Sequence, residues 1–210
     1  MTRIARGLLA TAFALVALDA AAQVEAGREY RRIEPPHAAA PGGRVEVIEF
    51  FYYGCPVCYE TEPHFSRWIA SAPDYVTVRR VPALSSDAWE PLARLYYALE
   101  ALGQLERLHW PVYDAIHFED VRLGDEKVMI DWAARSGIER EKFAQAYSSD
   151  AVKAKVAQAR ELLKSYEVGA VPTFIVDGKF LTSARLAGGT QQVVQVLDRL
   201  VELAREERLR

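Results

Sequence analysis

An α/β architecture, a small sheet cut in two by an all-helical insertion, is what three stretches of this 210-residue chain imply. In "RVEVIEFFYYGCPVCYETEPHFSRWIASAPDYVTVRRVPAL" two β-branched and aromatic runs flank an amphipathic one, the β-α-β unit that joins parallel strands through a helix. After Ser85, about 80 residues show helical periodicity and no strand pattern. In "FIVDGKFLTS", Asp177-Gly178 between two apolar runs signals a two-residue hairpin turn, because both turn positions need positive φ.

Taken in order, the chain opens with Arg3 and Arg6, an apolar run from Gly7 to Leu18, and small residues at Ala20 and Ala22. That is the layout of a secretory signal peptide cut after Ala22. The apolar run is too short for a membrane anchor, which needs ~20 residues to cross a bilayer. Removing Arg3, Arg6 and Asp19 from the 26 basic and 29 acidic residues leaves 24 and 28, a net charge of -4. Nucleic acid is excluded as a partner by that balance, since it requires a basic surface. A composition half apolar fits a globular protein with its own core.

Arg28–Glu34 alternates weakly before Pro35-Pro36 and reads as a short edge strand. Arg44–Tyr53, apolar almost throughout from Val45, reads as a central strand buried on both faces. Tyr59–Ala70 reads as a helix with Phe65, Trp68 and Ile69 on one side, and Tyr75–Leu84 as a second central strand. Asp87 and Glu90 stand at capping-box spacing ahead of a helical face made by Leu92, Leu95, Tyr96 and Leu99. Further helices follow at Gln104–Ile116, Asp125–Ser136, Arg140–Ser148 and Ala151–Tyr166, with Trp89, Trp110, Trp132, Tyr96 and Tyr97 read as core. Strands return at Phe174–Val176 and Phe180–Thr182, and the segment around Thr190 opens a last helix whose inner face carries Val193, Val194, Leu197, Leu200, Val201 and Ala204. The chain thus divides into a signal peptide, 1–22, a first sheet segment, 23–84, a helical insertion, 85–165, and a second sheet segment, 166–210.

Both cysteines, Cys55 and Cys58, fall at the junction of the first central strand and the helix after it. An exported protein can keep a disulfide. A bridge across two residues, however, closes almost no loop and stabilises almost nothing. A metal site would need two more ligands, and His37, His64, His109 and His117 are scattered along the chain. No metal or other cofactor is expected. The remaining possibility is redox chemistry: C-x-x-C beside a β-α-β pattern reads as a thioredoxin-like centre. At a helix start the unpaired N–H groups and the positive end of the helix dipole stabilise a thiolate, which lowers the pKa of Cys55. Pro56 suits the first helical turn, where its missing N–H has no partner to lose. Cys58, one turn on, is placed within disulfide reach and deeper, as the resolving thiol. Stabilising the thiolate stabilises the dithiol form, so the disulfide becomes a stronger oxidant.

Glu49, six residues before Cys55 inside the buried strand, is costly unless neutral or paired. Either it stands at a wet strand end, or it lies under the disulfide and accepts and relays the proton of Cys58, with Arg79 or Arg80 of the next strand as partner. Pro172 begins a strand, and by frequency alone its peptide bond is expected to be trans.

The signal peptide, "REYRRIEPP", "VIEFFYYGCPVCYETEP", the long helical block and "GAVPTFIVDGKFLTS" together resemble the DsbA family of periplasmic thiol:disulfide oxidoreductases, over essentially the whole mature chain. The resemblance implies a thioredoxin fold with an inserted all-helical domain. It implies that Val171-Pro172 is a cis-proline loop facing the disulfide, with Val171 offering backbone hydrogen bonds to a substrate chain, and it puts Glu49 on the family's buried acidic residue. It also implies a monomer that donates its disulfide to newly exported proteins in the periplasm and is reoxidised by a quinone-linked membrane partner, DsbB. One position departs: the family's usual motif is Cys-Pro-His-Cys, and here the third residue is Val57. Valine supplies neither positive charge nor a hydrogen bond to the thiolate. A specialised paralogue or a periplasmic reductase or isomerase with a narrow substrate set therefore stands beside the oxidase, as does a binding module that holds a partner or a copper ion without turnover.

Overall fold

A computed structural model describes residues 24–39 and 41–210; the expected signal peptide lies outside the described residues. Five strands form one sheet: β1 (Arg31–Arg32), β2 (Val45–Phe51), β3 (Val76–Pro82), β4 (Thr173–Val176) and β5 (Phe180–Ser183), in the order β1-β5-β4-β2-β3. β2 and β3 run parallel with Glu49 opposite Arg80, and the other pairings are antiparallel. β2 is central, as its apolar run requires: every residue but Glu46 is buried. β3 is not central. It forms one edge of the sheet, because β4 enters on the far side of β2. At the opposite edge the first strand is only two residues long.

Helix α1 (Pro56–Ser71) starts three residues earlier than the apolar periodicity indicates, because Cys55 caps it and Pro56 takes the first helical position. Between β3 and β4 come α2 (Glu90–Ala101), α3 (Leu105–His117), α4 (Glu126–Arg135), α5 (Arg140–Ser148) and α6 (Asp150–Ser165). Asp87 and Glu90 form no capping box. Neither side chain caps a helix; both carboxylates turn to Arg160 of α6, at 3.3 and 3.1 Å. The last helical stretch is two helices, α7 (Ala184–Ala187) and α8 (Gln192–Leu209), separated where Gly188 takes a left-handed φ of 87°. Asp177 and Gly178 have the positive φ values the turn demands, 56° and 66°. The ladder resumes at Val176 opposite Phe180, so Lys179 is a third loop residue. The buried Asp177 is held there by Arg208 of α8 and by Lys179.

Two apolar clusters divide the interior. One joins the sheet to the helical block through Ile48, Phe50, Phe51, Leu95, Val112 and Met129. The other packs Val47, Phe174 and Phe180 against Phe65 and Trp68 of α1 and Val193, Leu197 and Leu200 of α8. α1 is thus held between the sheet and both helical groups, with its first turn at the end of β2. Among the described residues no helix is long and apolar enough to cross a membrane.

Candidate active site

Cys55 is the N-cap of α1, with extended φ and ψ of -93° and 117°. Its sulfur accepts the backbone N–H of Cys58 at 3.4 Å, and its thiol donates to the Val171 carbonyl at 3.6 Å. Both cysteines are free thiols; Cys55 is partly exposed and Cys58 fully buried. The Cys55 pKa falls to about 6. The largest cause is the hydrogen bond from the Cys58 thiol, helped by the N–H groups of Cys58 and Val57 and opposed by burial. Cys58 is pushed the other way, first by burial and then by the neighbouring Cys55 sulfur. The pair is therefore polarised: a reachable thiolate in front, a protonated thiol behind.

Gly54 makes room for the Tyr52 ring. A Cβ there would stand 2.5 Å from the Tyr52 ring, which folds over it and stacks on Trp89 with centroids 3.9 Å apart. Val57 points to solvent, 41% exposed. The Val171-Pro172 bond is cis, against expectation from frequency and in line with the family resemblance. Val57, Val171 and Pro172 line a cavity of about 700 Å3 together with Arg31, Leu181 and Arg185. Trp110 is not core: it is 37% exposed and stacks on Tyr59, the residue after Cys58. His117 stacks on the same Tyr59 and bonds the Tyr53 carbonyl at 2.8 Å.

Glu49 is 1% exposed. Its partner is Arg80, whose Nε lies 3.1 Å from Oε2, while Arg79 is engaged with Glu46 at 3.0 Å. Arg80 is shared. Its Nη2 donates to Glu62 of α1 at 2.6 Å, and Glu62 also accepts from Ser66. Behind Glu62 stands the buried His109 of α3, so two of the four sequence-scattered histidines gather around α1. Burial and the Glu62 charge raise the Glu49 pKa to about 8, against the pull of Arg80. Burial also acts to raise Glu62, but His109, Arg80 and Ser66 outweigh it and hold it below the usual carboxylate value.

A pH dependence follows from Glu49. In the fold it keeps its proton to about 8, and in the unfolded chain it releases it near 4.5. Between those values the native state binds the extra proton, so stability falls as pH rises and the whole cost stands above 8. Glu49→Gln will remove that fall. Urea midpoints at pH 5 and pH 8.5 should separate for the native protein and stay closer for the variant; an equal drop in both would show that Glu49 is not the titrating group.

Sequence reasoning missed Glu62, His109 and the sharing of Arg80. A signal existed for Glu62: it follows Cys58 by four residues and lies on the same buried helix face.

With this geometry in hand, a family model described as the DSBA-like thioredoxin domain matches residues 80–201. The thiol:disulfide interchange protein DsbA of Pseudomonas syringae pv. tomato is 36% identical over 202 residues, covering 96% of this chain and 94% of that protein. The chain belongs to the DsbA family. The DsbA of Bordetella parapertussis is similar at 37% identity over 207 residues, 98% of this chain and 99% of that one. The crystal structure of Pseudomonas aeruginosa DsbA matches with a TM-score of 0.84 at 34% identity, over 89% of this chain and 97% of that chain. The fold is thus the thioredoxin-like fold of DsbA, and the activity of this DsbA family member is that of a thiol:disulfide oxidoreductase.

Proposed function

We propose that this DsbA family member works in the periplasm, where it donates a Cys55–Cys58 disulfide to reduced, newly exported proteins. The observation that carries this reading is the polarised pair: Cys55 partly exposed with a pKa of about 6, Cys58 buried with its pKa raised. A substrate thiolate attacks the Cys55 sulfur and the Cys55–Cys58 bond breaks. Cys58 leaves with the electron pair and takes the proton that Glu49 holds at neutral pH. A second substrate thiolate then attacks the substrate sulfur of the mixed disulfide and expels Cys55 as a thiolate. Two electrons have passed to the protein. Of the two substrate protons, one restores Glu49 and one goes to solvent, because Cys55 stays ionised above about pH 6. Val171, in the cis-proline loop 3.6 Å from the Cys55 sulfur, would hold the substrate backbone while sulfurs exchange. Pro56 and Val57 tune the pair, Pro56 by its place in the first helical turn. A quinone-linked membrane partner of the DsbB type would restore the disulfide, with the protein acting as a monomer.

The test uses the purified disulfide form and a reduced two-cysteine peptide. One peptide disulfide should form per protein, Cys58→Ser should accumulate a mixed disulfide through Cys55, and Cys55→Ser should do neither. A Cys55→Ser protein that still oxidises the peptide would end this reading. Val57 favours one second reading, a reductase: its side chain gives the Cys55 thiolate no charge and no hydrogen bond. Equilibration with glutathione decides the direction, since an oxidase lies on the dithiol side at a glutathione ratio where a reductase remains a disulfide.

A further inference from the structure

Two buried carboxylates, Glu49 and Glu62, compete for one guanidinium, Arg80. Paired with a single cation, the two hold one proton between them at neutral pH, because two bare carboxylates around one charge are too costly in a buried site. Which carboxylate carries it matters, since Glu49 is the one whose charge acts on the Cys58 thiol. We propose that His109 makes the choice: its imidazole Nε2, 3.5 Å from the Glu62 carboxylate, fixes Glu62 as the ionised carboxylate and so leaves the proton on Glu49. The role of Glu49 toward Cys58 belongs to the disulfide-donor reading above; the assignment of the proton does not depend on it.

Nδ1 of His109 lies 2.7 Å from the Tyr53 hydroxyl. Nε2 lies 3.5 Å from Oε2 of Glu62, at the outer limit of a hydrogen bond, and both atoms are buried with no hydrogen-bond partner among the described residues. If the Tyr53 O–H donates to Nδ1, the neutral ring carries its proton on Nε2 and presents an N–H to the carboxylate. The other tautomer would aim a lone pair at Glu62 and leave the phenol without an acceptor. Burial disfavours the imidazolium, so the ring acts as a neutral donor. Among the described residues the titratable groups that face the ring are Glu62 from α1, Arg80 from β3, Tyr53 from the end of β2, Tyr96 from α2 and Tyr113 from α3 itself. The tyrosines stay neutral with raised pKa values. Among the described residues Glu49 Oε1 and Glu62 Oε2 are both buried without a hydrogen-bond partner, but only Glu62 Oε2 has a possible donor nearby, His109 Nε2 at 3.5 Å, which leaves Glu49 in the environment that suits a protonated acid. His109 is a positioning residue, and it brings the helical block into the redox centre.

The test follows the side-chain carboxyl carbons of Glu49 and Glu62 by NMR in 13C-glutamate-labelled dithiol protein without substrate, assigned by their loss in Glu49→Gln and Glu62→Gln. In the native protein Glu62 should be ionised and Glu49 protonated at pH 6. In His109→Phe, which fills the space and donates nothing, the Glu49 midpoint should fall by about one to two pH units and that of Glu62 should rise. His109→Gln, whose amide can still donate, should restore the native order. An unmoved Glu49 midpoint in a folded His109→Phe protein overturns the proposal. If that variant does not fold, the native protein decides through its imidazole 15N shifts: a neutral Nε2–H tautomer from pH 6 to pH 8 supports the proposal, and an Nδ1–H tautomer or an imidazolium overturns it. Because no disulfide exchange is involved, failure here leaves the donor reading standing, and failure of the peptide oxidation test leaves this one.

Discussion

Arg80→Met will cost about 3–5 kcal/mol of folding stability at pH 8 and much less at pH 4.5. Methionine keeps the bulk of the aliphatic stem, so the loss is one of charge, hydrogen bonds and the guanidinium's place over the Phe65 ring. Arg80 bonds Glu49 at 3.1 Å, Glu62 at 2.6 Å and Ser66 at 3.2 Å. Without it, two buried carboxylates face each other with no cation, and both retain protons that the unfolded chain releases above about pH 4.5. Native protein then binds more protons than unfolded protein across the neutral range, and stability falls with pH. Urea unfolding of variant and native protein at both pH values measures it. Adding Glu62→Gln should recover much of the loss by removing one of the two buried acids that the fold must keep protonated. A deficit that is the same at pH 4.5 and pH 8 would mean that packing around the stem, not charge, was what Arg80 supplied.

Val57→His will shift the Cys55–Cys58 equilibrium with glutathione about tenfold toward the dithiol, equivalent to about 30 mV. Position 57 is exposed, so an imidazole can be accommodated without disturbing the core. Its backbone N–H already helps to hold the Cys55 thiolate. A protonated or donating ring two residues from Cys55 adds a charge interaction that valine lacks, and should lower the Cys55 pKa from about 6 by about one unit. Thiolate absorbance against pH reads the pKa, and glutathione titration reads the equilibrium. The two must move together, because extra stability of the thiolate belongs to the dithiol form alone. Equal pKa values in the two proteins would show that the third motif position does not reach the sulfur here.

The central strand, the capped helix behind the cysteines and the hairpin were legible because each rests on local chemistry: an apolar run, a proline after the cap, an Asp-Gly pair. The position of β3 was not. A β-α-β unit makes two strands parallel neighbours, but whether the second becomes an edge depends on where β4, about 90 residues later, joins the sheet. The Asp87 and Glu90 spacing misled for a related reason: Arg160, 70 and more residues away, offers the carboxylates a charge that outcompetes local backbone N–H groups. Glu49 stood out because it interrupts a buried run. His109 did not, because a histidine beside Leu108 and Val112 on a helix face looks the same whether it packs or positions. Only the fold reveals that Glu62 waits opposite.

The register that sets Glu49 beside Arg80 also guards assembly. Neighbouring side chains on a strand point to opposite faces, so sliding β3 by one residue would turn Arg80 away and deliver Val81 or Arg79 to the wrong side. A misaligned sheet would have to enclose two acidic groups with no counter-charge. The buried Glu49, Glu62 and Arg80 therefore act as a checksum on strand alignment, rejecting near-miss topologies during folding.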